Sequence, residues 1–209
     1  MTLFSAPSSI PVHTLCLPGG EHVVVRAAAP GDADRLQTYV RKLSVSARYN
    51  RFFGALSELP PAELRRVTHT NGLSRATLIA EIGGSEAIMI GELRYAVLSD
   101  NACEFSISVA DNWRSRGLGR LMLENLHCRM RALGVERLVG DVLKSNETML
   151  TFVIKIGFTI APRSADPRAV RIVKDMAAAQ ARLTCAELVG SAVPMPVDQR
   201  YSLDSALVP

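Results

Sequence analysis

Val109-Ala110-Asp111-Asn112-Trp113-Arg114-Ser115-Arg116-Gly117-Leu118-Gly119-Arg120 is the stretch on which the fold turns. Before it, Cys103 to Ala110 reads as a strand. After it, Gly117 to Leu133 reads as a long helix, with Leu118, Leu121, Met122, Asn125, Leu126 and Met130 on or near one stripe and Gly134 as its stop. The stretch is therefore a strand-to-helix connection. Gly117 and Gly119 let the backbone approach a bulky anion and turn several N–H groups towards it. The helix N-terminus adds partial positive charge, and Arg114, Arg116 and Arg120 add full charges. A di- or polyphosphate is the natural guest.

Other phosphate loops fit less well. The chain has no GxxxxGK[ST] stretch, and the third glycine of a dinucleotide fingerprint would fall at Met122. Asp141 alone stands where a ribose-binding acid would. The plain alternative is a glycine-bearing helix entry with solvated arginines.

Outward from the loop, the periods of two and 3.6 lay out the remaining elements. His22 to Ala27 is a strand. Pro30-Gly31-Asp32 is a turn, with Asp32 as a helix cap before Leu36, Tyr39, Val40 and Leu43. Ser44 to Leu56 is an amphipathic helix carrying Tyr49, Phe52, Phe53 and Leu56, and Pro60-Pro61 opens a short helix reaching towards Thr70. Arg75 to Ile82, Ala87 to Leu98 and Cys103 to Ala110 are strands joined by hairpin turns. Beyond the long helix, Arg137 to Leu143 is a strand and Asn146 to Ile156 a helix, and Gly157 to Ala161 and Val170 to Lys174 are strands. Antiparallel hairpins followed by a βαβ crossover predict an α/β (α+β) fold. Its sheet is mixed, mostly antiparallel and six- to seven-stranded, with helices on both faces. The organisation read from this is a leader over 1–20, one domain over 21–176 and a tail over 177–209 that is partly helical (Ala177 to Leu188) or loose.

Composition narrows the class. Of 209 residues 48% are apolar and 21% charged, which suits one globular domain and argues against disorder of the whole chain. The net charge of +4 fits an anionic small ligand and is too small to argue for nucleic acid. Cys16, Cys103, Cys128 and Cys185 form no CxxC pair, and the four histidines are scattered, so no metal is expected. Without a basic start to an apolar leader or a membrane-length apolar run, the expectation is a cytoplasmic protein with no membrane partner. Either a monomer or a homodimer is compatible with the sequence.

Arg114-Ser-Arg-Gly117-Leu-Gly119 resembles, at every fixed position, the (Q/R)xxGx(G/A) loop of the GNAT superfamily of acetyltransferases. Asn146 followed by Gly157-Phe158 is similar to the second block of that family. The resemblance covers roughly residues 22–176. It implies acetyl-CoA as co-substrate. The Val109 backbone would contact the pantetheine, Arg114, Ser115, Arg116, Gly117, Leu118, Gly119 and Arg120 would form the pyrophosphate loop, and Asn146 would help hold the coenzyme arm. Ser44-Val-Ser46-Ala-Arg48-Tyr49-Asn-Arg51-Phe52-Phe53-Gly54 further resembles the SxxSxYxRFF segment of bacterial protein lysine acetyltransferases. In that group an AEFAV-like strand precedes the loop, as Ala102-Cys-Glu104-Phe-Ser-Ile-Ser-Val109 does here. The plain reading of the same helix is a core-packing stripe of Tyr49, Phe52 and Phe53.

Amine acetylation needs a neutral amine. A lysine of pKa about 10.4 is only about 0.1% neutral near pH 7.4, a cost of roughly 4 kcal/mol, which a general base relieves. Glu104, ten residues before Arg114, is the candidate, and the resemblance gives the glutamate at this place that role. An ion-paired strand glutamate is the plain reading, and Glu92 on the preceding strand is the reserve. Alternation sets Glu104, Ser106 and Ser108 on one face and Phe105, Ile107 and Val109 on the other. Many GNAT enzymes carry an acidic tyrosine where this chain has Val153, which donates no proton. Cys103 lacks a nearby histidine and reads as a small buried residue; Trp113 reads as packing for the helix entry. The sequence thus predicts an acetyl-CoA-dependent N-acetyltransferase acting on a primary amine, with protein lysine favoured. A small-molecule amine acetyltransferase and a non-catalytic acyl-CoA-binding regulator are the alternatives.

Overall fold

The computed structural model describes residues 13–69, 74–84, 87–161 and 164–176. Eight strands form one sheet in the order β1-β2-β3-β4-β5-β6-β8-β7. They are β1 (His13–Cys16), β2 (His22–Ala27), β3 (Arg75–Ile82), β4 (Ile88–Val97), β5 (Ala102–Val109), β6 (Arg137–Leu143), β7 (Thr159–Ala161) and β8 (Ala169–Asp175). Five α-helices accompany them: α1 (Ala33–Lys42), α2 (Val45–Phe52), α3 (Pro61–Thr68), α4 (Leu118–Ala132) and α5 (Glu147–Lys155). The sheet has eight strands rather than six or seven. The extra one is β1, inside the stretch read as a leader, where Leu15 and Leu17 enter the core and His13 to Cys16 pair with β2. Prolines and the Gly-Gly pair had masked this short strand in the sequence. The tail over 177–209 lies outside the described residues, as does Thr70.

The two sheet faces bury different helices. Leu118, Met122, Leu126 and Met130 of α4 pack with Leu78, Leu93, Tyr95 and Phe105 into the larger core, which α5 joins through Val153. On the opposite face Leu36, Tyr39 and Val40 of α1 meet Ala47 of α2, Val67 of α3 and Ile79 of β3. The alternation read along β5 follows from this division, with Phe105 joining the larger core and Ile107 and Val109 packing against it.

Local chemistry adjusts three sequence-based boundaries. The second helix ends at Phe52 rather than Leu56, because Phe53 takes the left-handed conformation (φ 58°) and its N–H returns to the Tyr49 carbonyl. Asp32 precedes α1 without capping it. Its carboxylate instead accepts from the Ala29 N–H and from Arg26, 2.7 Å away, and pairs with Arg35. Asn146 stands just outside α5, and its side chain accepts from the Met149 N–H as the helix cap.

One feature of the sheet makes room for function. β5 and β6 form its parallel join, and they pair only through Ala102–Arg137, Cys103–Leu138 and Glu104–Val139. Beyond Glu104 the strands separate. Gly140 sits at the point of parting, where a Cβ would lie 3.0 Å from the Phe105 carbonyl oxygen.

Candidate active site

The parting strands open a cavity of about 1370 Å³ that runs from the Gly117–Gly119 loop past Glu104 to α2 and α3. At its loop end, Ser115 (φ 60°) and Gly117 (φ 89°) take left-handed conformations, and Gly117 leads into α4 with no side chain capping the first turn. The amide groups of that turn are thus left for an external acceptor. Pro18 closes on Gly117, where a Cβ would meet the proline Cδ at 3.1 Å. At Gly119 a Cβ would find only ordinary contacts, at 3.8 Å from Phe152 and Val109.

Arg114, Ser115, Gly117, Gly119 and Arg120 line the cavity together with Val109 and Asn146. Leu118 does not, being 1% exposed in the core. Arg116 also stands off the lining: it stacks over Trp113 at 4.8 Å and pairs with Glu21 at 3.2 Å. The other two arginines have acidic partners as well, Arg114 with Asp111 at 3.1 Å and Arg120 with Glu124 at 2.8 Å. Since all three guanidiniums remain about half exposed, these are rim pairs that exchange readily with a bound anion. Trp113 packs against the larger core and also lines the cavity.

Glu104 lies where the strands part. Its side chain is 48% exposed, lines the cavity, and is 3.2 Å from Arg171, whose other Nη is 3.2 Å from Asp141. Asp141, the residue at the position of a ribose-binding acid, is thereby part of the same charged group. Glu92 contrasts with Glu104. It is wholly buried, with Arg51 and Arg94 at 2.8 and 2.9 Å. Burial alone would push its carboxyl up, but the two guanidiniums outweigh it and hold the group below the usual carboxylate range. A carboxylate so stabilised is a poor base, which leaves Glu104 as the accessible candidate.

Arg94 and Glu63 also line the cavity and were given no part in the sequence reading, where Arg51 entered only within the Ser44–Gly54 resemblance. Arg94 bridges Glu92 and Glu63, and Arg66 pairs with Glu63 at 2.7 Å. Alternation was the available signal for Arg94, which is two residues from Glu92 and so shares its face. Ser108 is bonded to the Tyr39 hydroxyl at 3.0 Å. The Cys103 thiol is fully buried and burial pushes it up to about 12, which removes it as a nucleophile. Val153 is also fully buried, in the larger core and off the cavity lining. Among the described residues no cluster of three or more His, Cys, Asp or Glu side chains has metal-binding geometry, and no helix is long and apolar enough to cross a membrane.

A glycine-rich helix entry beside an antiparallel-to-parallel parting in a mixed sheet defines the GNAT architecture. The chain belongs to the GNAT acetyltransferase family, whose model matches residues 42–158, more than half of its length. It is an acyltransferase of the family that uses acetyl-CoA and an amine acceptor. It is 26% identical to an acetyltransferase of Pseudomonas aeruginosa over 146 residues, covering 68% of this chain and 77% of that protein. The GNAT domain of S. lividans PAT superposes with a TM-score of 0.72 at 27% identity, covering 78% of this chain and 96% of that domain. The E. coli ribosomal-protein-S18-alanine N-acetyltransferase shares the fold (TM-score 0.57, 16% identity, 77% and 98% coverage). So does a cAMP-binding acyltransferase of Mycobacterium smegmatis (TM-score 0.54, 21% identity), where the match covers 79% of this chain and 47% of the longer one.

Proposed function

We propose that the protein transfers an acetyl group from acetyl-CoA to a primary amine, with a protein lysine as favoured acceptor and Glu104 as general base. The observation that carries this reading is the position of Glu104: an accessible carboxylate at the head of the gap between β5 and β6, opposite the end closed by Gly117 and Gly119. In this reading the pyrophosphate lies on the Arg114–Arg120 loop. Gly117, Gly119, Arg114, Ser115 and Arg120 face it directly, and Arg116 and Leu118 contribute through the backbone. The Val109 backbone meets the pantetheine arm beside Asn146. The amine then attacks the thioester carbonyl carbon. Glu104 takes the amine proton, directly or through water, and the sulfur of coenzyme A leaves with the electron pair of the cleaved C–S bond. With Val153 sealed in the core, that thiolate is protonated by water rather than by a side chain at this position.

Resemblance of the Ser44–Gly54 segment to the SxxSxYxRFF segment of bacterial protein lysine acetyltransferases supports the choice of protein lysine. Glu104→Gln tests the base. Turnover is expected to fall at least about a hundredfold, the usual contribution of a general base, with acetyl-CoA affinity retained by calorimetry. Full turnover of this variant across the pH range would remove Glu104 from the mechanism.

A further inference from the structure

The strand registers place three polar rows on the face of the sheet towards α1–α3. Arg75 stands opposite Ala96 and Ala96 opposite Glu104; Thr77, Arg94 and Ser106 form the next row; Ile79, Glu92 and Ser108 the third. Cross-strand partners share a face, so Arg75 and Glu104 point to the same side, two strand spacings (about 10 Å) apart at the backbone. Ala96 between them is too small to fill the space. Arg75 and Glu104 both line the cavity.

Charge is unevenly divided along these rows. On the side of Arg75, Arg51 of α2 and Arg66 of α3 join Arg94 of β4 against the carboxylates of Glu63 and Glu92. Arg75 is exposed and has no ion-pair partner among the described residues. At the other end Glu104 and Asp141 share Arg171. The acceptor side is thus dipolar, negative where the base stands and positive about 10 Å away.

We infer that the acceptor is a primary amine carrying an anionic group several ångströms from it, as in a lysine with acidic neighbours in its chain. The inference rests on the acetyltransferase reading above. The ammonium enters towards Glu104 while the anion is held by Arg75, with Arg94 and Arg66 behind it. A polyamine or another polycation meets the guanidinium wall with the wrong sign. At the backbone the span is two strand spacings, about 10 Å. It suits an ε-amine and either a flanking Asp or Glu or the carboxylate of free lysine.

The test compares kcat/KM for peptides of one length holding a single lysine flanked by Asp, by Gly or by Arg, with free L-lysine and spermidine alongside, at low and high salt. The Asp-flanked peptide is expected to exceed the Arg-flanked one by about tenfold or more at low salt, with the advantage shrinking as salt screens it. Free lysine leading the series would keep the anion and make an amino acid its source. Equal rates for all peptides, or a lead for the Arg-flanked peptide or spermidine, would overturn the inference. Arg75→Glu should reverse the peptide preference and Arg75→Lys restore it, with acetyl-CoA titration checking that each variant is folded. Turnover on no amine by an acetyl-CoA-binding protein would defeat the acetyltransferase reading instead. Anisotropy of labelled Asp- and Arg-flanked peptides on the CoA-loaded protein then reads the charge preference by itself, and indifference there would overturn it.

Discussion

Asp111 and Ser44 are joined twice: one carboxylate oxygen accepts from the Ser44 backbone N–H and the other from its hydroxyl, both at 2.8 Å. Ser44 also caps α2 by accepting from the Ala47 N–H at 3.2 Å. The turn that opens the phosphate loop and the helix that forms the acceptor wall are therefore held by one pair of residues. Burial would raise the Asp111 carboxyl, but the two Ser44 donors and then Arg114 hold it below its ordinary value. Ser44→Ala and Asp111→Ala should each destabilise the fold, and the double variant should lose less than their sum by about 1 kcal/mol. Urea unfolding of the four proteins measures this. Strict additivity would mean that the pair is not coupled.

Gly117 and Gly119 separate fold from binding. A side chain at Gly117 is strained by the positive φ and meets Pro18, so Gly117→Glu should lose stability together with acetyl-CoA affinity. Gly119 is helical, a Cβ there meets only ordinary contacts, and a glutamate in a first helical turn is favourable. Gly119→Glu should therefore unfold no earlier than wild type while its carboxylate repels the pyrophosphate. Calorimetric titration with acetyl-CoA beside a thermal melt checks both. A Gly119→Glu protein that binds normally would move the phosphate site elsewhere.

Glu92 is expected to matter for stability first. Replacing it with Gln leaves Arg51 and Arg94 facing each other in a buried site, at a cost of about 3–5 kcal/mol. Its carboxyl is depressed in the folded state, so its contribution is complete above the unfolded carboxylate value and is lost as pH falls through the folded one. Denaturant unfolding of Glu92→Gln at pH 7 provides the measurement; a change under 1 kcal/mol would contradict the buried-pair account.

His127 sets a second pH window. It is 4% exposed, and burial, followed by Lys174 and Arg131 and opposed by Glu124, pushes its pKa down to about 4. The unfolded chain takes up the proton near 6.5, so stability falls as pH drops from about 6.5 to 4, by at most about 3 kcal/mol. His127→Leu should flatten the unfolding free energy between pH 6.5 and 5, above the range where carboxylates titrate. An unchanged slope there would assign the pH dependence to other groups.

The strand-to-helix loop, the alternation of β5 and the glycines that bound α4 were legible because each is written in a contiguous run of residues. β1 was not, since four residues between prolines and glycines carry too short a pattern. Neither was the end of α2, where Tyr49, Phe52, Phe53 and Leu56 keep helical spacing although the backbone turns left-handed at Phe53. For the site, sequence reading singled out Glu104 and the loop, which line one cavity, but gave the loop arginines no protein partners. Asp111 and Glu124 are only three and four residues from the arginines they pair with, whereas Glu21 is brought in from the turn between β1 and β2. The Arg51–Glu92–Arg94–Glu63 group and the Arg75–Glu104 row depend on register, which no single segment records.

The three-residue join between β5 and β6 has a mechanical consequence. It carries the sheet continuity between the strands before the phosphate loop and those after it, and the strands part where a coenzyme would lie. A molecule seated in that gap, which Val109 and Asn146 both line, would become the missing rung of the sheet. The protein would then be held together partly by its own co-substrate. Its melting temperature should climb with acetyl-CoA concentration, with about 2.7 kcal/mol gained at a hundredfold excess over Kd. Each round of product release would briefly leave the enzyme in its loosest form, so sustained turnover in scarce acetyl-CoA would shorten its working life.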